Sequence, residues 1–330
     1  MESVTQQIKA KAKGLGFSKV GIARAEVLHN EATHLDEWLE RGYNATMGWM
    51  KENHEKRTDP GLVVKGARSV ISLAKNYYTP VQHSSAPATG KISRYAWGDD
   101  YHDIVLEKLK ALWEWMKQEF PGAEGRYYVD TGPVMDKVWA QRAGIGWIGK
   151  HTNVITQDIG SWIFLAELIT TLDLEYDQPA TDHCGSCSLC LDACPTGAIV
   201  EPYVVDSARC ISYLTIEHRG EIDQELQNRL GGWIYGCDIC QDVCPWNHKF
   251  SLATDEPRFG PREWNIAPSL EDWKDMGQGE FAGKFKGSPL KRAKRGGLVR
   301  NIRAVLGGAE RNRQGAGPDP VLNASYGKQT

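Results

Sequence analysis

All eight cysteines of this 330-residue chain lie between residues 184 and 244, in two copies of one spacing pattern. The first copy has the spacing C-x2-C-x2-C-x3-C-P and consists of Cys184, Cys187, Cys190, Cys194 and Pro195. The second copy has Ile234 where the first cysteine would stand and continues with Cys237, Cys240, Cys244 and Pro245. Cys210 is the remaining cysteine. This spacing is typical of proteins that bind two [4Fe–4S] clusters through thiolates.

The number of cysteines equals the number of ligands that two such clusters require. In two-cluster ferredoxins the fourth cysteine of each run binds the cluster held by the other run. We therefore predict one cluster bound by Cys184, Cys187, Cys190 and Cys244, and a second bound by Cys194, Cys210, Cys237 and Cys240. Structural zinc is the alternative, but zinc explains neither the C-x2-C-x2-C stretch nor the two Cys-Pro endings.

Length and hydropathy bound the class of protein. A chain of 330 residues exceeds the roughly seventy that an iron–sulfur module needs, which indicates two or three domains. No apolar run reaches the roughly eighteen residues of a membrane span. The first fifteen residues read as an amphipathic helix rather than a signal peptide. Because thiolates stay free for metal in a reducing compartment, we expect a cytoplasmic protein. We also expect no membrane segment, and a monomer.

The order of elements in residues 1–178 predicts a mixed α/β domain. Apolar spacing predicts helices at 3–14, 34–41, 101–120 and 135–143, and branched and aromatic residues predict strands at 20–23, 68–77 and 127–129. Residues 153–156 and 162–171 predict a hairpin that turns at Gly160. The order is neither purely βαβ nor all-helical.

A few residues outside the cysteine region could also do chemistry. Asp130 follows a predicted strand and precedes a glycine turn, so its carboxyl could face a cleft or could cap the next helix. Asp136 and His151 are weaker candidates of the same kind. The stretch 144–149 has the spacing G-x-G-x-x-G, but it follows a helix rather than a strand, which is the wrong context for a dinucleotide loop. It either approaches a large flat ligand or simply ends the helix in a tight turn.

The net charge of −3 conceals an uneven distribution. Residues 281–313 hold ten Lys or Arg and one acid, Glu310. Such a stretch suits the phosphate backbone of a nucleic acid, and the alternative is a solvated helix face.

Four segments together resemble the epoxyqueuosine reductase family: residues 93–102, 129–152, 184–199 and 236–247. The resemblance runs from the N-terminus to about residue 307. It implies an oxidoreductase that reduces epoxyqueuosine to queuosine at the wobble position of tRNA anticodons, the final step of queuosine biosynthesis. The implied cofactors are cobalamin, used as cob(I)alamin, and two [4Fe–4S] clusters that supply it with electrons. The implied architecture is a nitroreductase-like cobalamin-binding domain at 1–178, a two-cluster ferredoxin-like domain at 179–250 and a short helical, HEAT-like segment at 251–330.

The resemblance also implies roles for individual residues. Asp130 is the implied proton donor, and a general acid serves best with a raised pKa. The residues implied to line the cobalamin are Arg57, Ser93, Asp130, Met135, His151, Val154 and Leu165. The residues expected to contact a tRNA with a queuosine-type wobble base are Lys284, Lys286, Lys291, Arg292, Lys294, Arg295 and Arg300. The electron donor is not identified by the sequence.

The end of the chain departs from longer family members, which continue with helical repeats. After Gly307 and Gly308 the sequence becomes rich in Gly, Pro and polar residues, and we predict a disordered end. Two other classes of function remain open, a reductase of small molecules such as organohalides and a plain electron carrier. The first typically carries a twin-arginine export signal and has no need of a basic segment, while the second has no need of residues 1–178.

Overall fold

The computed structural model describes residues 2–313 and confirms the mixed α/β class. The α-helices are α1 (Val4–Gly14), α2 (His29–Glu40), α3 (His54–Thr58), α4 (Tyr101–Glu119), α5 (Asp136–Arg142), α6 (Leu189–Asp192), α7 (Ile211–Ile216), α8 (Gln224–Asn228), α9 (Ile239–Asp242), α10 (Pro245–Phe250), α11 (Glu263–Ile266), α12 (Leu270–Trp273), α13 (Gln278–Lys284) and α14 (Lys294–Arg313). The strands are β1 (Lys19–Arg24), β2 (Ser69–Asn76), β3 (Lys91–Ile92), β4 (Gly125–Tyr128), β5 (Trp147–Ile148), β6 (Val154–Ile155), β7 (Ile163–Thr170), β8 (Ile199–Glu201), β9 (Val204–Val205) and β10 (Trp233–Tyr235).

A four-stranded antiparallel sheet with the order β1-β2-β7-β4 organises the first part of the chain. Side chains alternate between its two faces, so each strand contributes to two apolar layers. On one face Ile71 and Leu168 pack against α1 and α4. On the other face Val70 and Ile169 pack against α5. The sheet is therefore covered by helices on both sides, which explains why β2 is buried along its whole length.

The predicted hairpin across Gly160 is wrong. Strand β6 pairs with β5, and β7 pairs with β2 and β4 in the large sheet. Near Gly160 the backbone forms a single isolated antiparallel bridge, between Thr156 and Gly160. The apolar pattern of β7 reflects burial on both faces of the large sheet, and such a pattern does not identify the partner strand.

The later part of the chain shares a core with the first part. The parallel pair of β3 with β10 brings Ile92 beside Tyr235, and both belong to an apolar cluster that also contains Leu214, Phe285 and Ile302. The basic C-terminal segment is thus packed against the cysteine-bearing region. The domain bounds at 178 and 250 stay a prediction.

Helix α14 extends beyond the point where the sequence predicted disorder to begin. It continues through Gly307 and Gly308 to Arg313. Arg311 holds this last turn, because its guanidinium donates to the side-chain oxygens of Gln227 and Asn228 at 2.9 Å each. The remainder of the predicted disordered end, residues 314–330, lies outside the described residues.

A membrane span would need a helix that is both long and strongly apolar. Within residues 2–313 no helix meets that requirement.

Candidate functional site

Asp130 lies in the bend that follows β4, two residues after the end of the strand. Its side chain contacts the first turn of α4. Its backbone is left-handed, with φ of 59°, and its side chain is 61% exposed. The Tyr101 hydroxyl donates to Asp130 Oδ2 at 2.7 Å, and His102 Nε2 lies 3.5 Å from the same oxygen. Tyr101 is held in place by Phe164 of β7, whose ring stacks on it at 4.2 Å between centroids. The sheet and α4 together therefore position two polar groups, the Tyr101 hydroxyl and the His102 imidazole, beside one carboxylate.

A second carboxylate completes this arrangement. Asp100 caps α4 and accepts from the backbone N–H of His102 at 3.0 Å, and its Oδ1 lies 2.7 Å from His102 Nδ1. The imidazole thus lies between two carboxylates. Burial lowers the pKa of His102, but pairing with Asp100 and then Asp130 outweighs it, and the result is a pKa of about 9. At neutral pH the site holds a proton on His102.

The electrostatics of Asp130 differ from the raised pKa that a general acid favours. The hydrogen bond with His102 lowers the pKa of Asp130, and the Tyr101 hydroxyl adds to this effect, while partial burial opposes it. The substrate-free site therefore consists of an ionised Asp130 beside a protonated His102. Sequence reasoning did not single out Tyr101 or His102, although both lie in the segment 93–102 that carries the family resemblance. A pair of adjacent Tyr and His at a helix start was the available signal.

The pKa of His102 leads to a testable pH dependence. Since His102 carries its proton below about pH 9 and loses it above, the rate of a proton-dependent step should be flat from pH 7 to 8 and fall above pH 9. We expect His102→Gln to be slower at pH 7 and to lack the fall above pH 9. Single-turnover conversion of the family's expected substrate, epoxyqueuosine-containing tRNA, measured from pH 6 to 10 for the wild type and His102→Gln, would test this. A wild-type profile that is flat to pH 10 would contradict it.

Asp136, which is half-buried, lies next to a fully buried carboxyl group, Glu167. Glu167 is fully buried in β7, accepts from the Ser72 hydroxyl at 3.3 Å and leaves its Oε2 without a hydrogen-bond partner among the described residues. Burial raises the pKa of Asp136 and of Glu167, and the two groups lie within hydrogen-bond reach of each other. A shared proton is the arrangement that keeps two such carboxyls together.

The residues implied to line cobalamin fall into two groups. Met135, Val154 and Leu165 pack into one apolar cluster on the α5 face of the sheet. Ser93 and Arg57 are held by polar contacts: the Ser93 hydroxyl donates to Asp238, and the Arg57 guanidinium donates to the Trp49 carbonyl at 3.1 Å. The structure thus places the apolar members together and gives the polar members protein partners.

His151 provides the observation that tests whether a ligand fits here. Its side chain is buried, and burial lowers its pKa to about 4, so the ring is neutral. Nδ1 accepts from the Asn153 backbone N–H at 3.2 Å, which places the ring proton on Nε2, and Nε2 has no partner among the described residues. A buried donor without an acceptor is costly. A ligand with amide carbonyl groups and a broad apolar face, as cobalamin has, fits this donor and the neighbouring apolar cluster.

Cysteines from the two runs influence one another electrostatically. Burial raises the pKa of Cys190 to about 11, with Cys184, Cys244 and Cys187 as the next contributing thiols. Burial also raises the pKa of Cys240, with Cys210 and Cys194 as its nearest charged neighbours, while Cys237 is influenced by Cys240 and Cys210. The thiols that act on Cys190 therefore belong to its own predicted group, and so do those that act on Cys237. The assignment of each cysteine to a cluster stays a prediction.

The spacing of the sulfurs argues against zinc. Four thiolates around one zinc ion lie about 3.8 Å apart, given the Zn–S length of about 2.3 Å. In residues 2–313 no three cysteine sulfurs lie within 4.8 Å of one another, and the group that does approach so closely is His83, Asp238 and Asp242. Arg94 occupies that group, with its guanidinium 3.7 Å from Asp242 and 4.0 Å from Asp238. It is an ion-pair network, and the cysteines suit a larger metal cluster.

A basic cleft of about 670 Å³ lies between the turn that holds Thr46 and Trp49, the segment that follows α7 and the segment that leads into α14. It is lined by Thr46, Trp49, Glu217, His218, Arg219, Gly220, Lys291, Arg292 and Lys294. The Arg292 guanidinium lies over the Trp49 ring and donates to both carboxylate oxygens of Glu217, at 2.7 and 2.9 Å. The pKa of Arg292 is raised first by Glu217 and more weakly by Asp130, so the cleft and the acid site are neighbours.

The other predicted tRNA contacts are placed differently. Arg300 donates to the carbonyls of Leu214, His218 and Gly220, and Arg295 donates to the Met276 carbonyl. Lys284 lies over the rings of Trp264 and Trp273, and Lys286 lines a separate small pocket. The structure therefore brings Lys291, Arg292 and Lys294 together at the cleft, while Arg295 and Arg300 join protein segments.

Comparison with known proteins covers nearly the whole chain. The family described as "4Fe-4S double cluster binding domain" matches residues 183–247 and confirms the two-cluster interpretation, and "Epoxyqueuosine reductase QueG, DUF1730" matches residues 57–131. An epoxyqueuosine reductase of Cellulophaga algicola is 50% identical over 301 residues, 91% of this chain and 97% of the relative. That of Synechocystis sp. is 50% identical over 290 residues, 87% of this chain and 100% of the relative. A crystal structure of epoxyqueuosine reductase with a tRNA-Tyr epoxyqueuosine-modified tRNA stem loop matches with a TM-score of 0.86 and 32% identity, covering 92% of this chain and 81% of that chain.

Proposed function

Because this chain belongs to the epoxyqueuosine reductase family, we propose that it reduces epoxyqueuosine to queuosine in the anticodon of tRNA, as the final step of queuosine biosynthesis. It is an oxidoreductase. The observation that carries the proposal is the group formed by Asp130, Tyr101 and His102, together with the electrostatic influence of Asp130 on Arg292 of the basic cleft. A nucleic acid needs cationic side chains around its phosphates, and the epoxide needs an acid at its oxygen.

The proposed reaction takes two electrons and two protons, turns the epoxide into an alkene and releases the oxygen as water. When bound, cobalamin and the two [4Fe–4S] clusters supply those electrons. The cysteines would hold the clusters in the two predicted groups. Arg57, Ser93, Met135, His151, Val154 and Leu165 would line the cobalamin, with the unpartnered His151 Nε2 as a donor to an amide carbonyl.

Asp130 is the proposed proton donor, and His102 carries the proton at neutral pH in the absence of substrate. We propose that, when substrate binds, the proton of His102 moves to Asp130 through the contact between its Nε2 and Asp130 Oδ2, and that Asp130 passes it to the departing oxygen. The second proton would come from solvent through the same pair. The Tyr101 hydroxyl orients the carboxylate through its 2.7 Å hydrogen bond. Substrate binding would exclude water from Asp130, and desolvation favours the protonated form of a carboxylate. The carboxylate would thereby become a better acid once substrate covers it.

The cleft would bind the anticodon loop mainly through its phosphates. Lys291, Arg292 and Lys294 supply the cations, and Trp49 supplies an aromatic face that is 38% exposed. Aromatic faces beside cationic groups are typical of single-stranded RNA binding. Arg295 and Arg300 support this surface from within, because their guanidinium groups bind carbonyls of the protein.

Salt dependence tests the tRNA contacts. We expect the double change Lys291→Gln and Lys294→Gln to weaken tRNA binding and to reduce the slope of log K against log salt by about 0.7 for each lost phosphate contact. Binding of an anticodon stem loop measured at several salt concentrations gives both values. Lys117→Gln is the control, since Lys117 lies on α4 and pairs with Glu114. An unchanged slope in the double variant would remove these residues from the interface.

Nucleoside analysis tests the proposed reaction. Epoxyqueuosine-containing tRNA is incubated anaerobically with the reconstituted protein and a low-potential reductant, with and without cobalamin, and the digested nucleosides are analysed by mass spectrometry. Queuosine that forms only with cobalamin would support the reaction and its cofactor together. If both clusters and cobalamin are bound and no queuosine forms, the proposed activity is wrong.

A further inference from the structure

The segment 144–150 contains the glycine pattern that neither the fold nor the proposed reaction has accounted for. Its strand β5 pairs with β6, with Trp147 opposite Ile155. A Cβ on Gly146 would come within 2.2 Å of the Ile155 carbonyl oxygen, and one on Gly149 within 2.5 Å of the Ile155 side chain. Both glycines therefore let the segment lie flat against β6. The pattern G-x-G-x-x-G serves close packing of two backbone segments here.

This packing delivers an indole N–H to a cluster ligand. The Trp147 side chain is 1% exposed, and its Nε1 donates to the Cys184 sulfur at 3.5 Å. The Trp147 ring also packs in one small apolar cluster with Cys184 and Cys244. These two cysteines come from opposite ends of the cysteine-bearing region and are both predicted ligands of the first cluster. Trp147 thus contacts that ligand set at two points.

Lys150 fixes the same loop from the other end of the segment. Its Nζ donates to the Gly185 carbonyl at 2.6 Å and to the Cys187 carbonyl at 2.9 Å. The loop cannot shift relative to Trp147 without losing these bonds.

We propose that the Trp147 indole N–H, held against Cys184 by the 144–150 segment, raises the reduction potential of the cluster bound by Cys184, Cys187, Cys190 and Cys244. A donor to a ligand sulfur stabilises the more negative, reduced state of a cluster. One electron is gained in that reduction and no proton is transferred. Trp147 is therefore a positioning residue that acts through Cys184.

The position of this cluster indicates why a raised reduction potential would be useful, an inference that rests on the proposed function. Its ligand loop is at the surface, with Ser186 and Ser188 exposed and Leu189 49% exposed. The second group of cysteines lies nearer Asp130, because Cys240 and Cys210 influence Lys137, which in turn influences Asp130. A raised potential at the outer cluster favours its reduction by an external one-electron donor of low potential. We infer that electrons enter there.

The test is a redox titration of the reconstituted protein, followed by electron paramagnetic resonance of the reduced clusters. Trp147→Phe keeps an aromatic ring but removes the N–H. We expect one of the two clusters to become about tenfold harder to reduce at a fixed potential, which is about 59 mV for a one-electron couple, while the other is unchanged. Trp246→Phe is the control, because Trp246 packs 4.8 Å from Trp147 and makes no side-chain hydrogen bond to a cysteine sulfur within residues 2–313.

Two unchanged potentials in Trp147→Phe, with both clusters present, would overturn the proposal. If that variant fails to bind both clusters, replacement of Trp147 by benzothienylalanine decides the matter, since this isostere has the shape of tryptophan and lacks only the N–H. The same shift in that variant supports the proposal, and no shift refutes it. The readout needs no tRNA, so a protein that fails to convert epoxyqueuosine still gives a clear answer on Trp147.

Discussion

Replacing Asp130 with Asn is expected to slow epoxyqueuosine reduction by about 10²–10⁴-fold, the range over which a positioned general acid acts. Asparagine keeps the size of the side chain and can still accept from the Tyr101 hydroxyl, which lies 2.7 Å from the native carboxylate. It cannot carry a proton. The measurement is single-turnover conversion of epoxyqueuosine-containing tRNA by anaerobically reconstituted protein.

The controls separate chemistry from folding. Iron content and the cobalamin absorption spectrum should match those of the wild type in Asp130→Asn. Asp103→Asn is the matched variant, because Asp103 is an exposed carboxylate in the first turn of α4, which also carries Tyr101 and His102. Loss of the Asp103 charge should leave the rate unchanged. A rate for Asp130→Asn within about twofold of the wild type would exclude Asp130 as the acid.

The same variant should also alter the neighbouring imidazole. Asp130 is one of the two carboxylates that raise the pKa of His102. Removing its charge should lower that pKa, so His102 loses its proton at a lower pH than in the wild type. The residual activity of Asp130→Asn should therefore decline at a lower pH than the wild-type activity does, which the pH series on both proteins would reveal.

Replacing Cys210 with Ala is expected to remove one cluster and leave the other. Cys210 lies outside both cysteine runs, and the prediction gives it to the second cluster with Cys194, Cys237 and Cys240. Iron should fall from about eight to about four atoms per chain. Reduction of epoxyqueuosine should become undetectable, because the reaction depends on electrons that reach the site beside Asp130 through this inner group of cysteines.

Iron and sulfide analysis with electron paramagnetic resonance measures this loss directly. Ser212→Ala provides the control, since Ser212 lies in α7 two positions after Cys210 and its hydroxyl contacts Cys210, but it is not a predicted ligand. It should retain about eight iron atoms. A Cys210→Ala protein with two intact clusters would show that Cys210 is not a ligand. Zinc in place of iron in the wild type would reject the cluster interpretation as a whole.

Local patterns were sufficient for much of this architecture. The apolar spacing of residues 101–120 predicted α4, which spans Tyr101–Glu119, and the branched residues of 68–77 predicted β2, which spans Ser69–Asn76. Both signals arise within one element, because a helix or strand buries its own face at a fixed period. The start of α2 at His29 was missed, since the buried residue before it, Leu28, lies outside the periodic stretch.

Contacts between distant segments were beyond such patterns. The partner of β7 was assigned wrongly, because a strand buried on both faces carries no signal for its neighbour. Tyr101 and Asp130 are 29 positions apart and meet only because α4 and β4 pack on the same sheet. The sequence likewise did not show which basic residues face the cleft and which bind carbonyls of the protein. Arg292 faces the cleft and Arg300 faces carbonyls of the protein, although both belong to one run of charge.

The sequence by itself determined that the chain has a two-cluster binding region, where the strongly periodic helices and strands lie, and the family. Thiolate spacing and hydrophobic period are local properties, so they can be read along the chain. Only the tertiary structure decided that Asp130 lies between Tyr101 and His102, that its pKa is lowered, and that Trp147 donates to Cys184. A pKa and a hydrogen bond depend on burial and on which groups approach in space, and packing alone sets those distances.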